Sequence, residues 1–145
     1  MTTNSTPIPI YTGSWRDRID DRRYCRVAIS RGVPRGGAAG YRKFPQLAPG
    51  AWFKSIPDPI KWAERYRTEI LAPLDPAEVV EQLRALGDGR PPVLLCWEAI
   101  GDPGWCHRGL VSIWLADTLG LDVYELSGPH GCGHEHPLLP DVLRR

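Results

Sequence analysis

Apolar and polar positions follow two different periods along this chain, and the order of those periods predicts its architecture. Ile8-Pro9-Ile10-Tyr11-Thr12 is the first apolar run and predicts a strand. Pro9 has no N–H to donate, so it belongs at a strand start or on an edge. Tyr24-Cys25-Arg26-Val27-Ala28-Ile29-Ser30 alternates with a period of two and predicts a second strand. The stretch from Ala38 to Pro57 is rich in Gly, Pro and aromatic residues and predicts a long ordered loop, packed by Tyr41, Phe44, Trp52 and Phe53.

Helical spacing then takes over. Asp58-Pro59 has the chemistry of an N-cap and first helical position, and Trp62, Tyr66 and Ile70 follow on one face until Pro73 stops the helix. Asp75-Pro76-Ala77-Glu78 opens a second helix with Val79, Leu83 and Leu86 as its buried stripe and Gly87 at its end. Pro91-Pro92 leads into the apolar strand Val93 to Trp97. A helix from Trp105 to Leu119, apolar on most sides, predicts a buried element capped by Gly120, and Leu121 to Leu126 makes the last strand. Strands separated by helices predict a single layered α/β domain with a small, mostly parallel sheet flanked by helices. Its boundaries are read as a loose tail at 1–8, a domain at 9–128 and a His/Cys-containing tail at 129–145.

Composition narrows the function classes without naming one. The 145 residues suffice for a real core, and a net charge of +1 gives no global pull towards nucleic acid or membrane. Fifteen of the 18 basic residues are Arg, the side chain suited to a bidentate grip on phosphate or carboxylate, although a GC-rich genome inflates Arg as well. Met1 to Pro9 lacks the basic and apolar regions of a signal peptide, and no apolar run is long enough to span a bilayer. The expectation is a cytoplasmic, reducing setting, in which the four cysteines are free thiols or metal ligands rather than disulfides.

The chemistry concentrates at one strand-to-helix junction. Val93-Leu94-Leu95-Cys96-Trp97-Glu98 ends a strand in a thiol and a carboxylate, and Cys106-His107-Arg108 opens a helix with a thiol, an imidazole and a guanidinium. Open α/β sheets put ligands at such edges. A first-turn Cys106 sits in the positive field of the helix N-terminus, which favours a thiolate able to act as nucleophile or metal ligand. A neighbouring His107 or Arg108 lowers the thiol pKa further, and His107 is read with Cys106 as catalytic. Glu98 serves as a general acid or base, or pairs with Arg108. Cys96 is either a core residue or a second reactive thiol. Arg108 clamps an anion against the helix N–H groups. The loop Ser30-Arg31-Gly32-Val33-Pro34-Arg35-Gly36 follows a strand as well, and Ser30, Arg31 and Arg35 are read as substrate-binding; it lacks the Gly-Lys-Ser/Thr of a Walker A loop. Tyr11, Ser14, Trp15 and Arg16 follow the first strand towards the same edge, and mid-strand Cys25 is core.

His130-Gly131-Cys132-Gly133-His134-Glu135-His136 supplies further candidate ligands, His130, Cys132, His134 and His136, with zinc as the cofactor to consider. The same histidines have two other readings, as acid/base groups folded over the site or as an exposed C-terminal loop.

Four segments together carry a resemblance to a known family. Ile29-Ser30-Arg31-Gly32 with Pro34-Arg35, Leu47-Ala48-Pro49, Leu94-Leu95-Cys96-Trp97-Glu98 and Cys106-His107-Arg108 make the chain resemble the YeaO-like domain family of bacteria, archaea and phages, from Tyr11 to Leu126. The resemblance implies an α/β domain and shared motif positions at Cys96, Glu98, Cys106, His107 and Arg108. It implies no particular reaction. The insertion at Gly36 to Gly40 and the C-terminal tract are this member's own.

The residues themselves leave three functions to compare. One is a small thiol-dependent enzyme with a Cys/His/Arg site for an anionic substrate, a nucleotide or nucleic-acid-derived molecule. Another is a non-catalytic module for nucleic acid or protein. The last is a metal-binding protein that uses cysteines and the C-terminal histidines.

Overall fold

The computed structural model describes residues 7–33, 40–98, 105–127 and 131–144. Five strands, β1 (Tyr11–Ser14), β2 (Cys25–Ala28), β3 (Arg42–Lys43), β4 (Pro92–Cys96) and β5 (Tyr124–Glu125), form one sheet in the order β3-β2-β4-β1-β5, and every pairing is parallel. Three α-helices lie among the described residues: α1 (Pro59–Tyr66), α2 (Pro76–Gly87) and α3 (His107–Leu119). The small parallel α/β domain that the sequence predicts is therefore the one observed.

β4 occupies the centre because it is the strand that tolerates burial on both faces. All five of its residues are buried, with Leu94 opposite Val27 of β2 on one side and Thr12 of β1 on the other. Gly13 lets β1 come close, since a Cβ there would lie 3.0 Å from Val93 Cγ1. Trp62 and Tyr66 of α1, Val79 and Leu83 of α2, and Leu110, Val111 and Leu115 of α3 share one core with Ile10, Val27, Ile29 and Leu94.

The helix boundaries follow local chemistry. The Asp58 side chain accepts the Ile60 N–H, and the Asp75 side chain accepts from Ala77 and Glu78, with proline at the next position in both helices. Past Tyr66 the first helix runs on as a π-helical turn, Arg67–Leu71, before Pro73 ends it. α2 differs from expectation by one residue. Gly87 is its last, buried residue, packed near the Pro92 ring, and Asp88 takes the left-handed conformation (φ 51°) at the cap. At the end of α3, Gly120 has φ 63° and donates back to Leu115 and Ala116.

The described part of the long loop, from Gly40 on, carries short elements of its own. It contains edge strand β3 and two short 3-10 turns, Pro45–Leu47 and Ala51–Lys54, and the Tyr66 hydroxyl donates to the Leu47 carbonyl at 2.6 Å. The C-terminal segment is also part of the fold rather than an exposed loop. The Cys106 N–H donates to the Leu138 carbonyl (2.9 Å), the Gly133 N–H donates to Ser112 Oγ (2.8 Å), and His136, Leu138 and Leu139 are buried.

Candidate active site

The carboxyl ends of β2 and β4 lie side by side, and the chain leaves them in opposite directions. From β2 it goes outward to β3; from β4 it goes through α3 to β5, beyond β1. Such a divergence opens a crevice, the usual ligand position in an open parallel sheet. A cavity of about 440 Å³ occupies it. Ser30 and Arg31 line it after β2; Cys96, Trp97 and Glu98 line it after β4; Trp105, Cys106 and His107 line it at the start of α3. The long loop contributes Phe53 and Lys54, and α1 contributes Trp62. Thus Cys96, Glu98, Cys106, His107, Ser30 and Arg31, all singled out from the sequence, meet around one space.

At the floor, Cys96 and Cys106 are joined through their sulfurs, and both residues are buried. This differs from the expected set of free thiols; Cys25 and Cys132 are the free ones. The pairing follows from topology: β4 ends at Cys96, and Cys106 is the N-cap of α3, which starts back over the same strand end.

His107 is oriented by the backbone. Its Nε2–H donates to the Ile29 carbonyl at 2.9 Å, so Nδ1 keeps its lone pair and faces Cys106 Sγ at 3.8 Å. Burial, opposed by the Ile29 bond and reinforced by the Arg108 charge, pushes this imidazole down to about 4. At neutral pH it is an uncharged acceptor. The rings of Tyr66 and Trp62, at centroid distances of 5.5 and 6.2 Å, hold it in place.

Arg108 requires a correction. Its guanidinium does not face the cavity as an anion clamp, and it does not pair with Glu98. Arg108 is fully buried, with Nε 2.8 Å and Nη2 2.7 Å from the two oxygens of Glu125 on β5. A guanidinium entering the interior needs a charge partner and filled donors, and Glu125 supplies both. The remaining nitrogen, Nη1, donates to Cys96 Sγ at 3.5 Å. Arg108 therefore acts on the site from behind, through the sulfur.

The same carboxylate continues into the C-terminal tract. Thr12 Oγ1 donates to Glu125 Oε1 (2.7 Å) and lies 2.7 Å from His136 Nε2. His136 Nδ1 accepts the Leu138 N–H at 3.1 Å, which leaves its proton on Nε2 for Thr12. Burial, with the charges of Arg108 and Arg144 adding to it, pushes His136 down to about 3. His134 instead faces Asp117 at 3.2 Å, and burial raises the half-buried Cys132 thiol. Among the described residues, the tail's candidate ligands Cys132, His134 and His136 do not converge. Arg35 and His130 lie outside the described residues. Among those described, the soft donors that do converge are Cys96, Cys106 and His107, whose ligand atoms lie within 4.8 Å of one another. With the sulfurs reduced, that set suits zinc.

The mouth is cationic and aromatic. Arg31 and Lys54 both flank the Phe53 ring, at 5.6 and 5.4 Å from its centroid, and Arg31 Nη1 donates to the Pro49 carbonyl at 3.1 Å. Trp97 is 41% exposed, and its indole N–H donates to Gly32. The first strand helps position this rim: Trp15 Nε1 donates to Ser30 Oγ (3.0 Å), and Ser14 Oγ donates to the Trp97 carbonyl (3.2 Å). Sequence reasoning missed Lys54, Thr12 and Glu125. Thr12 and Glu125 are neighbours in register, but that becomes visible only once β1 and β5 are known to pair.

Comparison of the chain with family models, curated proteins and solved structures returned no match. The functional reading therefore rests on the site itself.

Proposed function

We propose that the protein is a thiol-dependent enzyme acting on a flat, anionic substrate of the nucleotide class, bound at the β2/β4 crevice. The observation that carries this reading is the Cys106 sulfur, 3.8 Å from His107 Nδ1, in the lining of a cavity that also holds Arg31, Lys54, Phe53 and Trp97. In the reduced protein, Cys106 Sγ–H faces the lone pair of His107 Nδ1. As the sulfur attacks, its proton passes to that nitrogen, while the positive end of α3 favours the developing negative charge. The Ile29 carbonyl holds the imidazole in the tautomer this requires. Arg31 and Lys54 suit a phosphate or carboxylate, and Phe53 and Trp97 suit a flat ring. Glu98 lines the same cavity and suits the role of general acid towards a leaving group.

Alkylation of the reduced protein tests the reading. Iodoacetamide should label Cys106 faster than Cys25 or Cys132, and adenosine monophosphate should slow that labelling specifically. If Cys106 reacts no faster than free cysteine at any pH between about 6 and 9, its role as nucleophile is excluded.

A further inference from the structure

Cys96 and Cys106 flank the same junction, one ending β4 and the other preceding α3, and their sulfurs pair at the cavity floor. Their neighbours differ in kind. Cys106 has His107 Nδ1 3.8 Å away, a nitrogen that carries a lone pair because the Nε2–H of the same ring is given to the Ile29 carbonyl. Cys96 has the Arg108 guanidinium 3.5 Å away, a fixed cation that accepts no proton. A base beside one thiol and a buried positive charge beside the other divide two tasks between two sulfurs.

We infer that this pair is a dithiol–disulfide centre that reduces an anionic disulfide in the cavity, Cys106 attacking and Cys96 resolving. The inference rests on the thiol-dependent reading above and names its reaction. In the first step Cys106 Sγ, losing its proton to His107 Nδ1, attacks one sulfur of R–S–S–R′. A bond forms between Cys106 and the R sulfur, the substrate S–S bond breaks, and R′–S⁻ leaves. In the second step Cys96, its proton taken by the departed R′–S⁻, attacks Cys106 Sγ as a thiolate. The Cys96–Cys106 bond forms and R–S⁻ departs, so the substrate gains the two electrons that the pair loses. A small-molecule or protein dithiol returns the pair to its reduced state. Arg108 is a positioning residue in this scheme. It stabilises the Cys96 thiolate, and Glu125 holds its guanidinium in place.

The mouth selects the substrate. Arg31 and Lys54, both against the Phe53 ring, with Trp97 in the same lining, fit a disulfide whose leaving half carries a flat ring and negative charge, the shape of a nucleotide-bearing thiol.

Single-turnover mixing tests this with the full chain carrying Cys132→Ser, a thiol outside the site, so that the cavity pair dominates the signal. The reduced protein is mixed with dithiobis-nitrobenzoate, an aromatic disulfide with two negative charges. The expected result is release of two thionitrobenzoate anions per molecule. The second release should occur at a rate independent of reagent concentration, leaving no adduct in the mass spectrum. Cys96→Ser should release one anion and keep the other as a mixed disulfide. With each rate divided by that of free cysteine for the same reagent, which removes the difference in leaving-group acidity, cystamine, a disulfide with two positive charges, should react at least about tenfold more slowly, and Arg31→Ala should narrow the difference.

A wild-type pair that retains the adduct overturns the dithiol centre while leaving Cys106 a nucleophile. Cavity thiols no faster than free cysteine overturn the thiol-dependent reading itself. Equal rates with both disulfides, each taken relative to free cysteine with the same reagent, overturn the anionic substrate. If circular dichroism shows Cys96→Ser unfolded, the concentration-independent second phase of the parent protein decides the matter.

Discussion

Arg108 carries its charge into the interior with Glu125 as the balancing carboxylate, and a pair of that kind is sensitive to the loss of one member alone. Arg108→Met should lower unfolding free energy by about 3–5 kcal/mol in urea titration, because the Glu125 carboxylate is left buried without its cation. Replacing both with apolar residues should recover most of that loss while slowing the resolving step at Cys96. Arg108→Lys should also destabilise, since one ammonium cannot make the paired contacts to both carboxylate oxygens. His136 gives a pH signature. Its folded value of about 3 lies below the ordinary 6.5, so the unfolded chain binds the extra proton first as pH falls. The contribution is intact above pH 6.5 and is lost progressively towards pH 3, by about 1 kcal/mol per pH unit. His136→Gln should flatten the acid limb of a stability-versus-pH curve, even though Glu125, Arg108 and Arg144 remain around the site. An unchanged limb would show that His136 is not among the groups that set it.

At the scale of elements, the decisive contact is that of α3 with the C-terminal segment. Gly109 makes it close: a Cβ there would lie 3.1 Å from Leu139 Cδ2, 3.2 Å from Leu139 N and 3.3 Å from the Leu138 carbonyl carbon. Alanine at an open helical position stabilises by up to about 1 kcal/mol relative to glycine. Here the sign should reverse, because backbone atoms cannot yield as a side-chain tip can. Gly109→Ala should cost about 1–3 kcal/mol, and amide exchange should accelerate at Cys106, whose N–H is bonded to the Leu138 carbonyl. The tract that looked like a free tail from its His/Cys composition is thereby tied to the helix that supplies Cys106 and His107.

For the whole molecule, the Cys96–Cys106 link joins the end of the central strand to the start of the helix leading to β5. Its sequence separation is 10 residues, so opening it should cost only about 2–3 kcal/mol of loop-closure entropy. Reduction should therefore lower the melting temperature by several degrees without unfolding the domain. Zinc should then restore part of the loss in the reduced protein and nothing in the oxidised one, because Cys96, Cys106 and His107 offer their ligand atoms only when the sulfurs are free. Calorimetry with and without a reductant and zinc checks both halves. A melting temperature indifferent to zinc after reduction would rule out this donor set as a metal site.

The sequence by itself determined what short-range physics controls. Asp58 and Asp75 with their following prolines mark helix starts, Gly120 marks a helix end, and the unbroken apolar run through Leu94 and Leu95 marks the strand that sits at the centre. The strand-to-helix junction was legible for the same reason, and with it Cys96, Glu98, Cys106 and His107, since strand ends and helix starts are where a parallel sheet exposes side chains. Ser30 and Arg31 were legible on the same ground, as residues just past another strand. Only the tertiary structure decided the partners. Whether Arg108 faced an anion or Glu125, whether His136 bound a metal or Thr12, and whether the sulfurs stood apart or met all depended on the order β3-β2-β4-β1-β5. That order sets residues 113 positions apart, Thr12 and Glu125, at hydrogen-bonding distance. Periodicity and capping act over a few residues, whereas a buried charge is settled by the groups that the sheet and its helices bring around it.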